Sequence, residues 1–191
     1  MKRIFLVAIA VMAFGFTNAQ QTRFGIKGGL NITTYAGGDY WDANSLVGFQ
    51  VGGFAEIKII ERLAIQPEIL FSTQGARLDT SFGDYDEKLN YINVPVLAKF
   101  YITKQFTVEG GPQLGFLVSA KQEGHDAKDD FKSVDTGFNF GAGYNFTENV
   151  SVNLRYTVGL SNILDYEVNN ADEYFDSPKN SVLALTLGYK F

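Results

Sequence analysis

His125 is the only histidine in the chain, and it lies beside Glu123, Asp126, Asp129 and Asp130. A histidine with a serine and a carboxylate is the equipment of acyl-transfer chemistry. Ser119 and Ser133 are near in sequence, yet no nucleophile motif frames either one. The same carboxylates could bind calcium, but the spaced Asp-x-Asp-x-Asp-Gly pattern of a calcium loop is missing. The acidic stretch at Asp172, Glu173 and Asp176 lacks it as well. A solvated acidic loop is the favoured reading of both, with no catalytic residue, no metal site and no cofactor. Cysteine is absent, which excludes thiol catalysis, a disulfide scaffold and cysteine-based metal sites. No phosphate-binding glycine loop and no basic nucleic-acid patch occurs.

A second set of charged residues is more unusual. Lys27, Glu56, Glu68, Lys99, Glu109, Arg155 and Lys190 are embedded in stretches that are otherwise apolar or glycine-rich. Opposite charges confined together can line a gated polar path for ions or small solutes. They can equally form a plug of mutually satisfied ion pairs. A buried charge must be paired to be tolerated, so pairing alone does not argue for transport. The plug is the favoured reading, and Glu109 and Lys99 are placed to pair across a tight turn.

The elements that carry these residues have period-two alternation and no helical periodicity. From Val134 to Phe146 one face reads Val134, Thr136, Phe138, Phe140, Ala142, Tyr144, Phe146. The other reads Asp135, Gly137, Asn139, Gly141, Gly143, Asn145. Eight such strands are expected, near 22–34, 46–58, 62–75, 89–102, 105–120, 134–146, 149–163 and 181–191. Each is long enough to cross a bilayer, which takes about 9–11 tilted residues. Aromatics at 15% and 20 glycines against 4 prolines suit pleated strands with crowded interiors.

The connections alternate in length. Ile59–Glu61, Thr103–Lys104 and Thr147–Glu148 are tight; those near 35–45, 76–88, 121–133 and 164–180 are long and polar. Short turns at one end and long loops at the other is the pattern of a transmembrane barrel. The four long loops hold 15 of the 21 acidic residues, and water-filled tips can carry such charge where lipid cannot. Tyr101, Phe106, Tyr144, Phe146, Tyr189 and Phe191 cluster at the short-turn end and are expected to form an interfacial aromatic girdle. In the first long loop Tyr35, Tyr40 and Trp41 are expected to cap the rim.

The N-terminus reads as a secretory leader. Lys2 and Arg3 precede an apolar run from Ile4 to Phe16, and small residues lead to Ala19. Cleavage is expected after Ala19, leaving a single barrel domain over 20–191. Loss of Lys2 and Arg3 leaves 14 basic residues against 21 acidic, a net charge of −7. The remainder contains no apolar run long enough for a transmembrane helix, so a membrane location requires a closed barrel.

A soluble carrier would put the apolar face inside; a membrane barrel puts it outside. The polar face decides between them. It carries Gly25, Gly29, Gly48, Gly52, Gly111, Gly115, Gly137, Gly141, Gly143 and Gly159, as a narrow eight-stranded interior requires. Leu183, Leu185, Leu187, Tyr189 and Phe191 also alternate to the last residue, as suits a strand ending at a membrane interface.

With these features the chain resembles the bacterial outer-membrane β-barrel domain family, which includes porin-family and PorT-like proteins and small OmpA/OmpX-like barrels. The resemblance rests on Phe24-Gly25-Ile26-Lys27-Gly28-Gly29-Leu30-Asn31, on 91–101 (Tyr91 to Tyr101), and on Val108-Glu109-Gly110-Gly111-Pro112. Gly141-Ala142-Gly143-Tyr144, Arg155-Tyr156-Thr157-Val158-Gly159-Leu160 and Gly188-Tyr189-Lys190-Phe191 continue it. It implies an all-β, eight-stranded antiparallel up-and-down barrel in the outer membrane of a Gram-negative cell, in contact with lipid. It also implies that Leu187, Tyr189 and Phe191 resemble the signal read by the outer-membrane assembly machinery. The chain ends at Phe191, so no peptidoglycan-binding domain is expected. The resemblance implies no single activity, since fold is not function. A structural or interaction-mediating monomer without catalysis is the leading expectation. A narrow porin-like channel and a PorT-like accessory role in secretion or assembly are the alternatives.

Overall fold

A computed structural model describes residues 22–37, 44–80, 83–122, 125–164 and 178–191. Tyr40, Trp41, Asp172, Glu173, Asp176 and the leader lie outside the described residues. The strands are β1 (Thr22–Ala36), β2 (Asn44–Ile60), β3 (Leu63–Thr80), β4 (Gly83–Tyr101), β5 (Phe106–Gln122), β6 (His125–Asp126), β7 (Val134–Asn145), β8 (Val150–Gly159) and β9 (Lys179–Lys190). Eight of them form the wall. β6 is a two-residue segment hydrogen-bonded to the outer end of β5.

The wall is antiparallel throughout and closes on itself. β1 pairs with β2 on one side and with β9 on the other, while β4–β5 and β7–β8 pairings complete the ring. Closure at the seam continues to the end of the chain, where Phe191 N–H donates to the carbonyl of Phe24 at 2.8 Å. Ordering eight alternating strands in this way turns one parity inward and the other outward.

Two of the tight turns share one construction. Thr103 Oγ1 accepts from the N–H of Gln105 and of Phe106, and Thr147 Oγ1 accepts from the N–H of Asn149 and of Val150. A threonine hydroxyl opening each turn stands in for missing ladder bonds.

The wall is uneven in height. β2 to β5 have 17 to 19 residues, whereas β7, β8 and β9 have 12, 10 and 12. Crossing the bilayer takes about 9–11 residues, so the first group overshoots at the long-loop end. The stretch 76–88, expected to be a loop, is instead the continuation of a β-hairpin. Ala76 pairs with Glu87 and Thr80 with Gly83. Gly75 makes this continuation possible, because its φ of 129° is closed to most side chains and a Cβ would stand 1.9 Å from the Glu87 carbonyl oxygen.

The inward glycines also let strands approach closely. A Cβ on Gly29 would lie 1.9 Å from the carbonyl oxygen of Leu185 on β9, against backbone that cannot yield.

Candidate functional site

The interior has two chemically different storeys. The storey nearer the short turns is ionic. Lys27 on β1, Glu56 on β2, Glu68 on β3, Lys99 on β4, Glu109 on β5, Arg155 on β8 and Lys190 on β9 all point inward and are all buried. Strand alternation places them there, since each shares the parity of its strand's polar face.

Arg155 is the hub. Its Nη1 and Nη2 donate to the two oxygens of Glu68 at 2.8 and 2.9 Å, crossing the lumen from β8 to β3. Its Nε and Nη2 donate to Glu109 Oε1 at 2.8 and 2.6 Å. This forked, charge-assisted geometry is available to arginine but not to lysine. Lys27 adds a 3.0 Å bond to Glu68. β7 contributes no charge here. It offers Gly141, where a Cβ would come within 3.1 Å of Glu109 Cγ, so the small residue makes room for the carboxylate.

A second group lies closer to the short-turn end. Lys99 and Lys190 donate to Glu56 Oε2 at 3.3 and 3.4 Å, and the Tyr101 hydroxyl donates to Glu56 Oε1 at 2.6 Å. Gln66 joins the two groups: its Nε2 donates to Glu68 at 2.7 Å, and its Oε1 accepts from Lys99 at 3.3 Å. The seven charges therefore form one connected network. Burying them is tolerable only because nearly every lone pair and proton is used. The remaining orphan is Glu109 Oε2, which is buried without a partner.

Above this network Asn31 donates to Ser72 Oγ at 3.0 Å, and Thr157 donates to Asn139 at 2.7 Å. Higher still, Asn180 Nδ2 donates to Asp135 at 2.8 Å, and Ser161 donates to the other oxygen of the same carboxylate at 2.6 Å. The interior then turns apolar. Tyr35, Ala76, Leu89, Tyr91, Leu117 and Ala120 from the wall meet Ala127, Phe131 and Ile163 from the connecting segments. Phe131 is only 4% exposed. Backbone bonds fasten this cap: Ala127 N–H to the Ala120 carbonyl at 3.1 Å, and Lys132 N–H to the Ile163 carbonyl at 2.8 Å.

The outer surface of the same strands is the reverse. Ile26, Leu30, Ile69, Leu154, Leu185 and Leu187 are among a belt of large apolar side chains that face outward. At the short-turn end Phe106, Tyr144, Phe146, Tyr189 and Phe191 are exposed, with edge contacts between Tyr144 and Phe146 and between Tyr189 and Phe191. An exposed apolar belt around a polar interior is the inverse of a water-soluble barrel.

Comparison with known proteins agrees. The outer membrane protein beta-barrel domain family matches residues 18–165. The chain belongs to this family. Its place is the outer membrane, with lipid around the apolar belt. Neisserial surface protein A is similar in fold, at 17% identity and a TM-score of 0.61, covering 88% of this chain and 97% of that one. Ail, the attachment invasion locus protein of Yersinia pestis, crystallised with the heparin analogue sucrose octasulfate, gives 19% identity and a TM-score of 0.52. That match covers 90% of this chain and 99% of Ail. At such identities the likeness is one of fold. No curated protein sequence matches the chain.

Within this outer-membrane barrel, three expectations from sequence change. Lys99 and Glu109 face each other in register but do not form an ion pair. Lys99 turns to Glu56 and Glu109 to Arg155, because Arg155 reaches Glu109 with two donors and Glu56 otherwise has only Lys190 and Tyr101. Tyr101 does not join the aromatic girdle; it shares inward parity with Lys99 and spends its hydroxyl on Glu56. The segment 121–133 is not wholly solvated, since Ala127 and Phe131 fold inward as part of the cap.

His125 is exposed on β6, and among the described residues it has no hydrogen bond to Ser119 or Ser133. Gln66 and the cap residues other than Tyr35 are absent as site members from the sequence reading; Tyr35, expected to cap the rim, is buried in the cap. Gln66 is accessible to that reading, two residues before Glu68 and on the same face.

Proposed function

We propose that this outer-membrane barrel is a non-conducting monomer that acts by presenting its long-loop end to partners, without catalysis. The observation that carries the reading is the double filling of the interior, by a paired ionic network below and an apolar cap above. An eight-stranded interior is about wide enough for its own side chains. Every charge of the network faces an opposite charge, which favours a strut over a selectivity filter. Among the described residues the tall hairpin of β3 and β4 is then the most prominent feature beyond the membrane. It is braced by the Arg77–Asp86 bond at 2.8 Å.

Residues 1–19 are then an export leader. Leu187, Tyr189 and Phe191 then serve as the signal read by the assembly machinery. The outward alternation of these three side chains supports that role, with Leu187 and Phe191 63% and 67% exposed.

The test is solute entry into proteoliposomes holding the refolded protein, with folding verified by a heat-modifiable gel shift. The reading expects swelling in small sugars or salts to match empty liposomes. Swelling above that background would replace it with the narrow-channel alternative.

A further inference from the structure

We propose that the apolar cap is a pH-sensitive latch, in which ionisation of Glu87 loosens the segment from His125 to Phe131. This goes beyond the reading of a sealed barrel, because it concerns the motion of the cap and not conduction through the network below it.

Glu87 stands on the inward face of β4, two residues beyond Leu89 of the cap, and is buried. Its position, 14 residues from the short-turn end of β4 at Tyr101, puts it past the membrane-spanning stretch. Its strand partners are the neutral Ala76 on β3 and Gln122 on β5. From β1 the Tyr35 hydroxyl donates to its carboxyl. From the cap, Asp130 of the 3-10 turn Lys128–Asp130 acts on it as a like charge. From its own strand Tyr91 senses it, and Asp135 of β7 also acts on Tyr91. No basic side chain among the described residues pairs with it. It is the reverse of Glu56, Glu68 and Glu109, each of which has a cation within bonding distance.

A buried carboxyl with one donor and an acidic neighbour is tolerable when protonated and costly when ionised. Burial is the largest influence, and together with Asp130 it holds the Glu87 carboxyl above its ordinary value of 4.5 despite the Tyr35 bond. Tyr35 and Ala76, which bond and pair with Glu87, belong to the apolar cluster that Ala127 and Phe131 complete, so lifting the segment opens that cluster to water and moves Asp130 away. The closed state therefore binds the proton more tightly than the open state, and closure must weaken as pH rises. The closed cap is at its strongest below about pH 4.5, the ordinary value. It loosens between that value and the raised one, and changes no further above it. One proton limits the slope to about tenfold per pH unit.

The experiment is hydrogen exchange of the Ala127, Phe131 and Lys132 amides in the refolded full barrel from pH 4.5 to 8, corrected for intrinsic rates. The expected result is a fall in protection with rising pH that levels off. Glu87→Gln, which keeps an acceptor for Tyr35, should hold protection constant. Asp130→Asn, at an exposed position, should reduce the fall. Flat protection in the unaltered protein, or the same fall in Glu87→Gln, would overturn the latch. If Glu87→Gln does not refold, an Asp130→Asn profile identical to the unaltered protein overturns it on its own.

Discussion

The ionic storey and the apolar cap fill the same lumen by opposite means. The lower network is made by the wall itself, with side chains from seven of the eight wall strands meeting at Arg155, Glu68 and Glu56. The cap is completed by what lies between strands, with Ala127, Phe131 and Ile163 pressed onto wall residues that include Leu89, Tyr91 and Leu117. Cutting the first should weaken the whole barrel, because its bonds tie opposite walls together. Cutting the second should free one segment and leave the barrel standing. Local opening without global unfolding is the ordinary behaviour of an element fastened by few contacts.

The largest effect is expected from Arg155→Ala. It strips four bonds from Glu68 and Glu109, leaving Glu68 with Lys27 and Gln66 and Glu109 with no bonded partner among the described residues. Removing one partner of a buried pair costs about 3–5 kcal/mol. Urea unfolding in detergent or lipid should show that loss, and a loss below about 1 kcal/mol would mean the network is not a strut. Leu185→Arg comes next, since it puts a charge on the outward belt. Arginine at the bilayer midplane costs about 2–4 kcal/mol. The same unfolding assay in lipid vesicles should report it, and a neutral result would place Leu185 away from lipid.

Tyr101→Phe is smaller. It removes a single bond to a charged group, at 2.6 Å, for which about 1.5–3 kcal/mol is usual. An unchanged unfolding midpoint would return Tyr101 to the interfacial girdle. Phe131→Ala should leave the unfolding midpoint of the wall unchanged while limited proteolysis cuts the segment near 125–133 sooner. Equal loss in both assays would erase the distinction between the two storeys. Arg77→Ala on the tall hairpin is expected to cost least, about 0.2–1 kcal/mol at most for an exposed pair. Its hydrogen bond holds the Asp86 carboxyl below the ordinary 3.8, helped by Arg77 and Lys88 charge and opposed by burial. The contribution is present above that ordinary value and disappears as pH falls through the depressed one. The hairpin should therefore become insensitive to Arg77→Ala in acid.

The difference between the storeys also explains what could be read without a structure. Charges at one parity inside apolar strands, such as Glu109 in Val108-Glu109-Gly110 and Arg155 in Leu154-Arg155-Tyr156, have only one place to go when the other parity meets lipid. The wall and its lower contents were legible for that reason. Which charge pairs with which was not, because partners such as Arg155 and Glu68 are 87 residues apart and meet only through barrel closure. Phe131 sits between Asp130 and Lys132 in a polar stretch with no period, and nothing local distinguishes an inward phenylalanine there from a solvated one. Tyr101 is legible by parity, since its spacing from Lys99 already puts it on the inward face. Aromatic type points the other way, to the interface, and parity prevails.

On the proposed function the lumen is closed twice. Single-channel recording on the refolded barrel, beside Phe131→Ala, tests it most directly. Silent bilayers are expected for both, because the ionic network still blocks the lumen when the cap is loosened. Steady openings in the unaltered protein would contradict it.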